Sequence, residues 1–230
     1  MKDMLWRYAS MRLPLAILEL PLYVLLPKLF SELLPLSLVG LMLLAARGLD
    51  ALADPWLGRR WDLQSSVAGR QLRQRAWWAL AKACAVFTVG FMLLLWWSSL
   101  AKAYGIGSLW SATVLAIGSV GTYLAYSQCS IIYQSWGAAL ARSDRARSRY
   151  ALSREAAGLI GVMAVSVFVQ AQSSFEKIAI SGLLIVFTLL ALALFRGLAY
   201  PTHRLEQREP ARVFNARSLW EARPMRHLFI

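Results

Sequence analysis

Apolar residues come in long blocks separated by short basic stretches, and neither the two-residue period of a strand nor a single amphipathic stripe persists between them. Six blocks are long enough to cross a bilayer as helices: about 13–30, 36–57, 76–97, 109–136, 156–172 and 178–195. Pro14, Pro21 and Pro27 in the first block predict a kinked or partly unwound span, since neighbouring helices and water can satisfy the freed carbonyls. Trp77 and Trp78 at one end of the third block and Trp96 and Trp97 at the other lie roughly 28 Å apart on a helix, the separation of two interfacial belts. Lys82, one turn inside, can snorkel outward. The fourth block holds Thr113, Gly118, Ser119, Gly121 and Thr122, residues suited to close helix packing, and its Ser127 and Ser130 are candidates to line a cavity.

Composition agrees with this pattern. Of 230 residues 58% are hydrophobic and 16% charged, and the mean hydropathy is +0.50, values that exclude an ordinary soluble domain. The formal charge of +13 would suit a nucleic-acid binder, but the arginines cluster between apolar blocks with no aromatic-studded basic groove, so no nucleic-acid partner is expected. Cys84 and Cys129 lie inside apolar blocks and read as buried thiols, and His203 and His227 lack metal-ligand spacing. The first block has no small-residue cleavage site after it and is followed by further spans, which argues against a signal peptide. Nearly all arginines fall in the start of the chain, in 58–75, in 141–155 and in the tail, while the opposite connections carry Lys28, Lys102 and Lys177. That asymmetry predicts a multi-pass protein of the cell (inner) membrane with both termini cytoplasmic.

Candidate chemistry concentrates in the second block. Arg47, Asp50 and Asp54 are spaced three and four residues apart and share one helix face, with Arg47 near mid-bilayer. Unpaired, three such charges would cost roughly 8–10 kcal/mol, so they must face other helices or a watery cavity. Either Arg47 and an aspartate form a structural pair locking two helices, or the two carboxylates, one turn apart, offer hard oxygen ligands to a small cation or a proton. Glu19 in the first block is a second intramembrane carboxylate, either functional or bonded across to another helix. At the basic end, Gly58 and Asp62 followed by Arg70 and Arg73, with Arg145, Arg147, Arg154 and Glu155 as a counterpart, could form a salt-bridged cytoplasmic gate, or could simply set topology.

Two stretches carry a family resemblance. Ala46-Arg47-x-x-Asp50-Ala51-x-x-Asp54-Pro55-x-x-Gly58 resembles the second helix of the glycoside–pentoside–hexuronide cation symporters, the melibiose permease group of the major facilitator superfamily. Tyr133-x-x-Trp136-Gly137-Ala138-x-Leu140, Arg145-x-Arg147 and Arg154-Glu155-Ala156-x-Gly158-Leu159-Ile160-Gly161 are similar to that family's fourth helix, cytoplasmic loop and fifth helix, and Gly69-Arg70 to Trp77 to the opening of its third. The resemblance implies an all-α membrane protein of six transmembrane helices, a 3+3 inverted repeat making one half of the superfamily fold. It implies Asp50, Asp54 and Ser127 as cation ligands (for sodium, if not a proton), Glu19, Arg47 and Ser130 in the substrate cavity, and no cofactor beyond the coupling Na+ or H+. The chain departs from sugar-transporting members in having Ser130 near the place of a fourth-helix aspartate and no carboxylate near Pro14.

The leading expectation is a secondary active transporter, a cation-coupled symporter of a sugar or other small solute in the lipid bilayer. A membrane-embedded lipid phosphotransferase, suggested by Gly58-x-x-x-Asp62, lacks the preceding Asp-Gly-x-x-Ala-Arg and has Ser66 where a further aspartate belongs. The third class is a non-transporting half-size membrane protein or subunit. Ser218-Leu219-Trp220 and Pro224 to Ile230 resemble the approach to a seventh span. Residues 201–230 are therefore expected to be a cytoplasmic linker and the start of a truncated seventh span. The partner is then a second six-helix half, either a missing C-terminal half or a dimer mate.

Overall fold

The computed structural model describes residues 2–64, 70–141, 143–169 and 174–198, with the side chains of 2, 3, 64, 70, 71 and 169 also left out of the description. The described residues form seven helices and no strand: α1 (Lys2–Ala9), α2 (Arg12–Ser31), α3 (Leu36–Gln64), α4 (Arg70–Tyr104), α5 (Ser108–Leu140), α6 (Asp144–Val169) and α7 (Ser174–Arg196). Six stretches are long and apolar enough to cross a membrane, the first running from Met4 to Ser31 across α1 and α2. The expectations for 201–230 lie outside the described residues.

Helix pairing follows a two-fold repeat of α2–α3–α4 onto α5–α6–α7. The α2–α6 contact has its counterpart in α3–α5, and α4–α5 in α2–α7, and these four pairs are the most extensive in the bundle. Small residues set two of the distances. A β-carbon on Gly161 of α6 would lie 2.9 Å from the Leu13 carbonyl oxygen of α2. One on Gly118 of α5 would lie 2.9 Å from the Leu94 side chain of α4. Both contacts replace side-chain bulk with close helix approach, which the sequence predicted for Gly118 and not for Gly161. Ser119 and Thr122 turn their hydroxyls back onto the Leu115 and Gly118 carbonyls, so they present no unpaired donor to the interface.

α2 is the central helix, with 61% of its span buried against 17% for α3. It runs unbroken through Pro21 and Pro27, where the sequence suggested partial unwinding. Burial on nearly all sides holds α2 in place despite the lost hydrogen bonds.

The basic connections are shorter than expected. α3 continues to Gln64 and α4 already begins at Arg70, inside the stretch read as a 58–75 loop. α6 begins at Asp144, so the 141–155 segment is largely helix and the span read as 156–172 is its later part. The Ala146 backbone N–H donates to Ser143 Oγ at 3.2 Å, and Asp144 occupies the first turn. Cap and helix dipole thus start α6 about three turns before the apolar run. Hydropathy marks the bilayer portion of a helix and not its ends.

Aromatic side chains tie the arginine-rich end together. Tyr8 stacks on Tyr133 with ring centroids 4.5 Å apart and meets Tyr150 edge-on at 5.3 Å, while Trp136 meets Phe195 at 4.6 Å. The Tyr133-x-x-Trp136-Gly137 motif is therefore a packing device, with Gly137 leaving room for the Tyr8 ring. At the opposite end Lys102 pairs with Glu32 at 2.5 Å, and buried Lys177 donates to Ser98 Oγ and Ser99 Oγ at 3.2 and 2.7 Å. Three of the four belt tryptophans also join helices: Trp77 Nε1 donates to the Leu192 carbonyl, Trp96 Nε1 to Ser181 Oγ and Trp97 Nε1 to Ser111 Oγ. Cys84 and Cys129 are buried free thiols whose sulfurs stand 3.6 Å apart across α4 and α5.

Candidate functional site

α3 presents Arg47, Asp50 and Asp54 on the face it turns toward α5. There they line a cavity of about 270 Å³ with Ser127, Ser130, Tyr126 and Gln134 of α5. Helical spacing alone produces this convergence. Positions 47, 50, 51 and 54 share one side of α3, and 126, 127, 130, 131 and 134 share one side of α5. The pseudo-repeat then sets the two faces against each other.

Asp50 is the buried member, 2% exposed. Arg47 Nη1 donates to its Oδ2 at 3.0 Å, and the Arg47 side chain is 48% exposed. The second oxygen, Oδ1, is buried with no partner at full hydrogen-bond geometry, and the Ser127 side chain is the polar group beside the carboxylate. An ionised carboxylate with one oxygen under-served inside a protein is costly. Ser127, also buried, belongs to the same cavity wall. Asp54 is exposed on the open side. Among the described residues no three His, Cys, Asp or Glu side chains come together, so a hard cation placed here would draw on two carboxylates and a hydroxyl.

Two aromatic rings hold Arg47, and neither was anticipated from the sequence. Its guanidinium carbon lies 5.7 Å from the Tyr23 ring centroid and 5.5 Å from that of Tyr123, with the two rings 6.4 Å apart. A cation so placed gains roughly 0.5–2 kcal/mol per ring according to how dry the site is. The result fixes the charge at bilayer depth and aims its N–H groups at Asp50. An aromatic inside an apolar block has no distinctive spacing, so only the fold could reveal this role.

Glu19 is not a lone carboxylate. Arg12 Nη2 reaches its Oε2 at 3.2 Å, Tyr126 Oη donates to the same oxygen at 3.3 Å, and Arg12 Nη1 donates to Tyr126 Oη at 3.1 Å. Arg12 was read as part of the basic start, yet it opens α2 and reaches two turns along it. Tyr126 lines the cavity and bonds to Glu19, connecting the Arg12–Glu19 pair to the Asp50 wall. Ser130 Oγ accepts from Gln134 Nε2 at 2.7 Å.

The suggested gate residues lie at the arginine-rich end. Arg154 donates to Glu155 Oε1 from Nη2 at 2.6 Å and from Nε at 3.0 Å, and Arg147 lies 3.9 Å from Asp144, all within α6. Asp62, Arg73 and Arg145 are exposed, and the Arg70 side chain lies outside the described residues. A β-carbon on Gly58 would meet nothing within 4 Å, so close packing does not account for that glycine. The described link between α3 and α5 here is Trp61, whose Nε1 donates to Ser135 Oγ at 2.8 Å.

A six-helix, two-fold-repeated bundle with a charged cavity between two of its helices is the architecture of a membrane carrier. Comparison with known families agrees: the family described as MFS/sugar transport protein matches residues 13–229, and the chain belongs to it. It is therefore a multi-pass membrane protein of a transporter family within the major facilitator superfamily, not an enzyme, which removes the phosphotransferase reading. No curated protein and no solved structure matches the chain.

Proposed function

We propose that the protein is a cation-coupled symporter of the melibiose permease type, moving a sugar or a similar small polar solute across the inner membrane with both termini cytoplasmic. The observation that carries this is the buried Asp50 carboxylate, held by Arg47 through one oxygen and under-served at the other, in a cavity shared with Asp54 and Ser127. Arg47, Asp50 and Asp54 sum to one negative charge, and a single sodium ion or proton brings the face to neutrality. A neutral face can be buried when the carrier closes; a charged one is expensive to bury. In this scheme Arg47 is the standing counter-ion, the arriving cation binds Asp50 Oδ1, Asp54 and Ser127, and Glu19, Arg47 and Ser130 face the solute.

The same face argues for a second six-helix bundle. Asp54 and half of Arg47 are exposed on α3, the least buried of the six spans, where lipid would not solvate them. A covering bundle, from the rest of a longer chain or from a dimer mate, completes the cavity, and alternating access is its rocking against this one. The N-terminal-half reading rests on that open face. Uptake of candidate sugars under an imposed sodium or proton gradient tests the proposal. Asp50→Asn should abolish gradient dependence at unchanged membrane level, and unaltered gradient-driven uptake in that variant would disprove it.

A further inference from the structure

A second, larger cavity of about 900 Å³ lies nearer the arginine-rich end, lined by α3, α4 and α5 and sharing no lining residue with the Asp50 cavity. That volume is near the top of the ~300–1,000 Å³ range of small-molecule sites. Its walls carry Arg60 of α3 and Arg75 and Lys82 of α4, with Trp61, Trp78 and Gln128. No acidic residue belongs to the described lining, and none of the three cations forms an ion pair among the described residues. Arg60 is braced against the Trp56 ring at 5.4 Å.

The face of α4 that lines this cavity does not end with it. Arg75, Trp78, Ala79 and Lys82 fall on one helix stripe, and the stripe continues as Val86, Val89 and Leu93, all exposed. Lys82 stands seven residues, roughly 10 Å, farther into the membrane than Arg75. Read along the helix axis, the surface is cationic and tryptophan-lined at the membrane edge and purely aliphatic deeper in. That sequence of chemistries matches one molecule lying along the helix, a phosphate head group followed by acyl chains. A free anion would use the charged end only, whereas a phospholipid uses both ends of the stripe.

We infer that this groove is a binding site for an anionic diacyl phospholipid, its phosphate held by Arg60, Arg75 and Lys82 and its chains laid along Val86, Val89 and Leu93. Basic pockets between transmembrane helices are suited to such head groups, and Trp78 sits where an indole favours the interface. The site is separate from the Asp50 cavity and does not depend on the transport reading.

Native mass spectrometry of the 230-residue chain released from nanodiscs tests this, with phosphatidylglycerol competing against phosphatidylcholine of the same chains. One phosphatidylglycerol should be retained with at least a tenfold preference. Combined Arg60→Gln, Arg75→Gln and Lys82→Gln should remove the preference, whereas Lys102→Gln, at the opposite end, should leave it intact. If the triple variant does not insert, Lys82→Gln alone should weaken retention several-fold and Lys82→Arg should restore it. Equal retention of the two lipids, or a preference untouched by Lys82→Gln, would overturn the assignment. Displacement of the lipid by millimolar inorganic phosphate would also overturn it, in favour of a site for free anions.

Discussion

Asp50→Asn is the sharpest perturbation of the candidate cation site, because the amide keeps the shape and removes the charge. The loss of its pair with Arg47 should cost little stability. The guanidinium is half exposed, so the pair belongs near the ~0–1 kcal/mol of solvated ion pairs and not with the larger cost of breaking a fully buried one. Cation binding should suffer more. Unit charges about 4 Å apart interact by about 4 kcal/mol at an effective dielectric of 20. Halving this for the open, wet side of the cavity leaves about 2 kcal/mol, a roughly 30-fold loss of affinity. Thermal unfolding in detergent then reads the difference. Sodium at 100 times its dissociation constant stabilises the wild type by about 2.7 kcal/mol, while a site 30-fold weaker gains only about 0.9 kcal/mol at the same concentration. Sodium, compared with choline at equal ionic strength, should therefore raise the wild-type midpoint about three times as far as that of the variant. Equal shifts in the two proteins would refute the assignment of Asp50 as a ligand.

Three other outcomes are expected. Gly161→Val forces a side chain onto the Leu13 backbone and should lower stability by about 1–3 kcal/mol in detergent-unfolding titrations, whereas Gly182→Ala, with nothing within 4 Å, should be neutral or better; equal effects would show that α2 and α6 are not in close contact. Arg12→Gln breaks the link to Glu19 and Tyr126 and should raise the KM for solute several-fold while sodium still raises the melting midpoint, so loss of the sodium effect would place Arg12 in the cation site instead. Tyr104→Cys lies exposed at the end of α4 and should react with an impermeant maleimide added outside intact cells, while the native thiols, both buried, stay silent; labelling only after permeabilisation would invert the orientation.

The spans were legible because bilayer solvation demands about twenty apolar residues in a row whatever the tertiary contacts. Their ends were not, because α6 is started by Ser143 and Asp144 through capping and dipole effects that hydropathy does not register. Spacing put Arg47, Asp50 and Asp54 on one helix face, and the family resemblance added Ser127 to them; the structure sets all four around one cavity. Arg12, Tyr23, Tyr123 and Tyr126 were not legible in this way, for a physical reason. Each works through a contact to another element or, for Arg12, through a side chain reaching seven residues along its own helix. Aromatics in an apolar helix satisfy the bilayer in any register, so the sequence places no constraint on them that a reader could detect. Glu19 bonds across to Tyr126 of α5, one of the two alternatives its sequence position allowed, while its ion-pair partner Arg12 had been read as part of the basic start ahead of the first span.

The two charged groups on the inner faces differ in a way that separates their roles. Arg12 and Glu19 cancel each other and share a tyrosine hydroxyl, a neutral arrangement that stays the same whether or not a cation is present. The α3 trio does not cancel: one guanidinium faces two carboxylates, and the aromatic rings of Tyr23 and Tyr123 hold that guanidinium in place instead of letting it swing between them. A mobile arginine could neutralise Asp50 and Asp54 in turn and would make a cation redundant. A pinned one leaves a permanent deficit of one positive charge beside an under-served carboxylate oxygen. In the proposed symporter, the tyrosine clamp on Arg47 is what would make the site require an ion. Removing one ring, as in Tyr123→Leu, should loosen the coupling: uptake should persist with a weaker dependence on the cation gradient. Uptake in Tyr123→Leu that stays as gradient-dependent as in the wild type would show that the clamp is only packing.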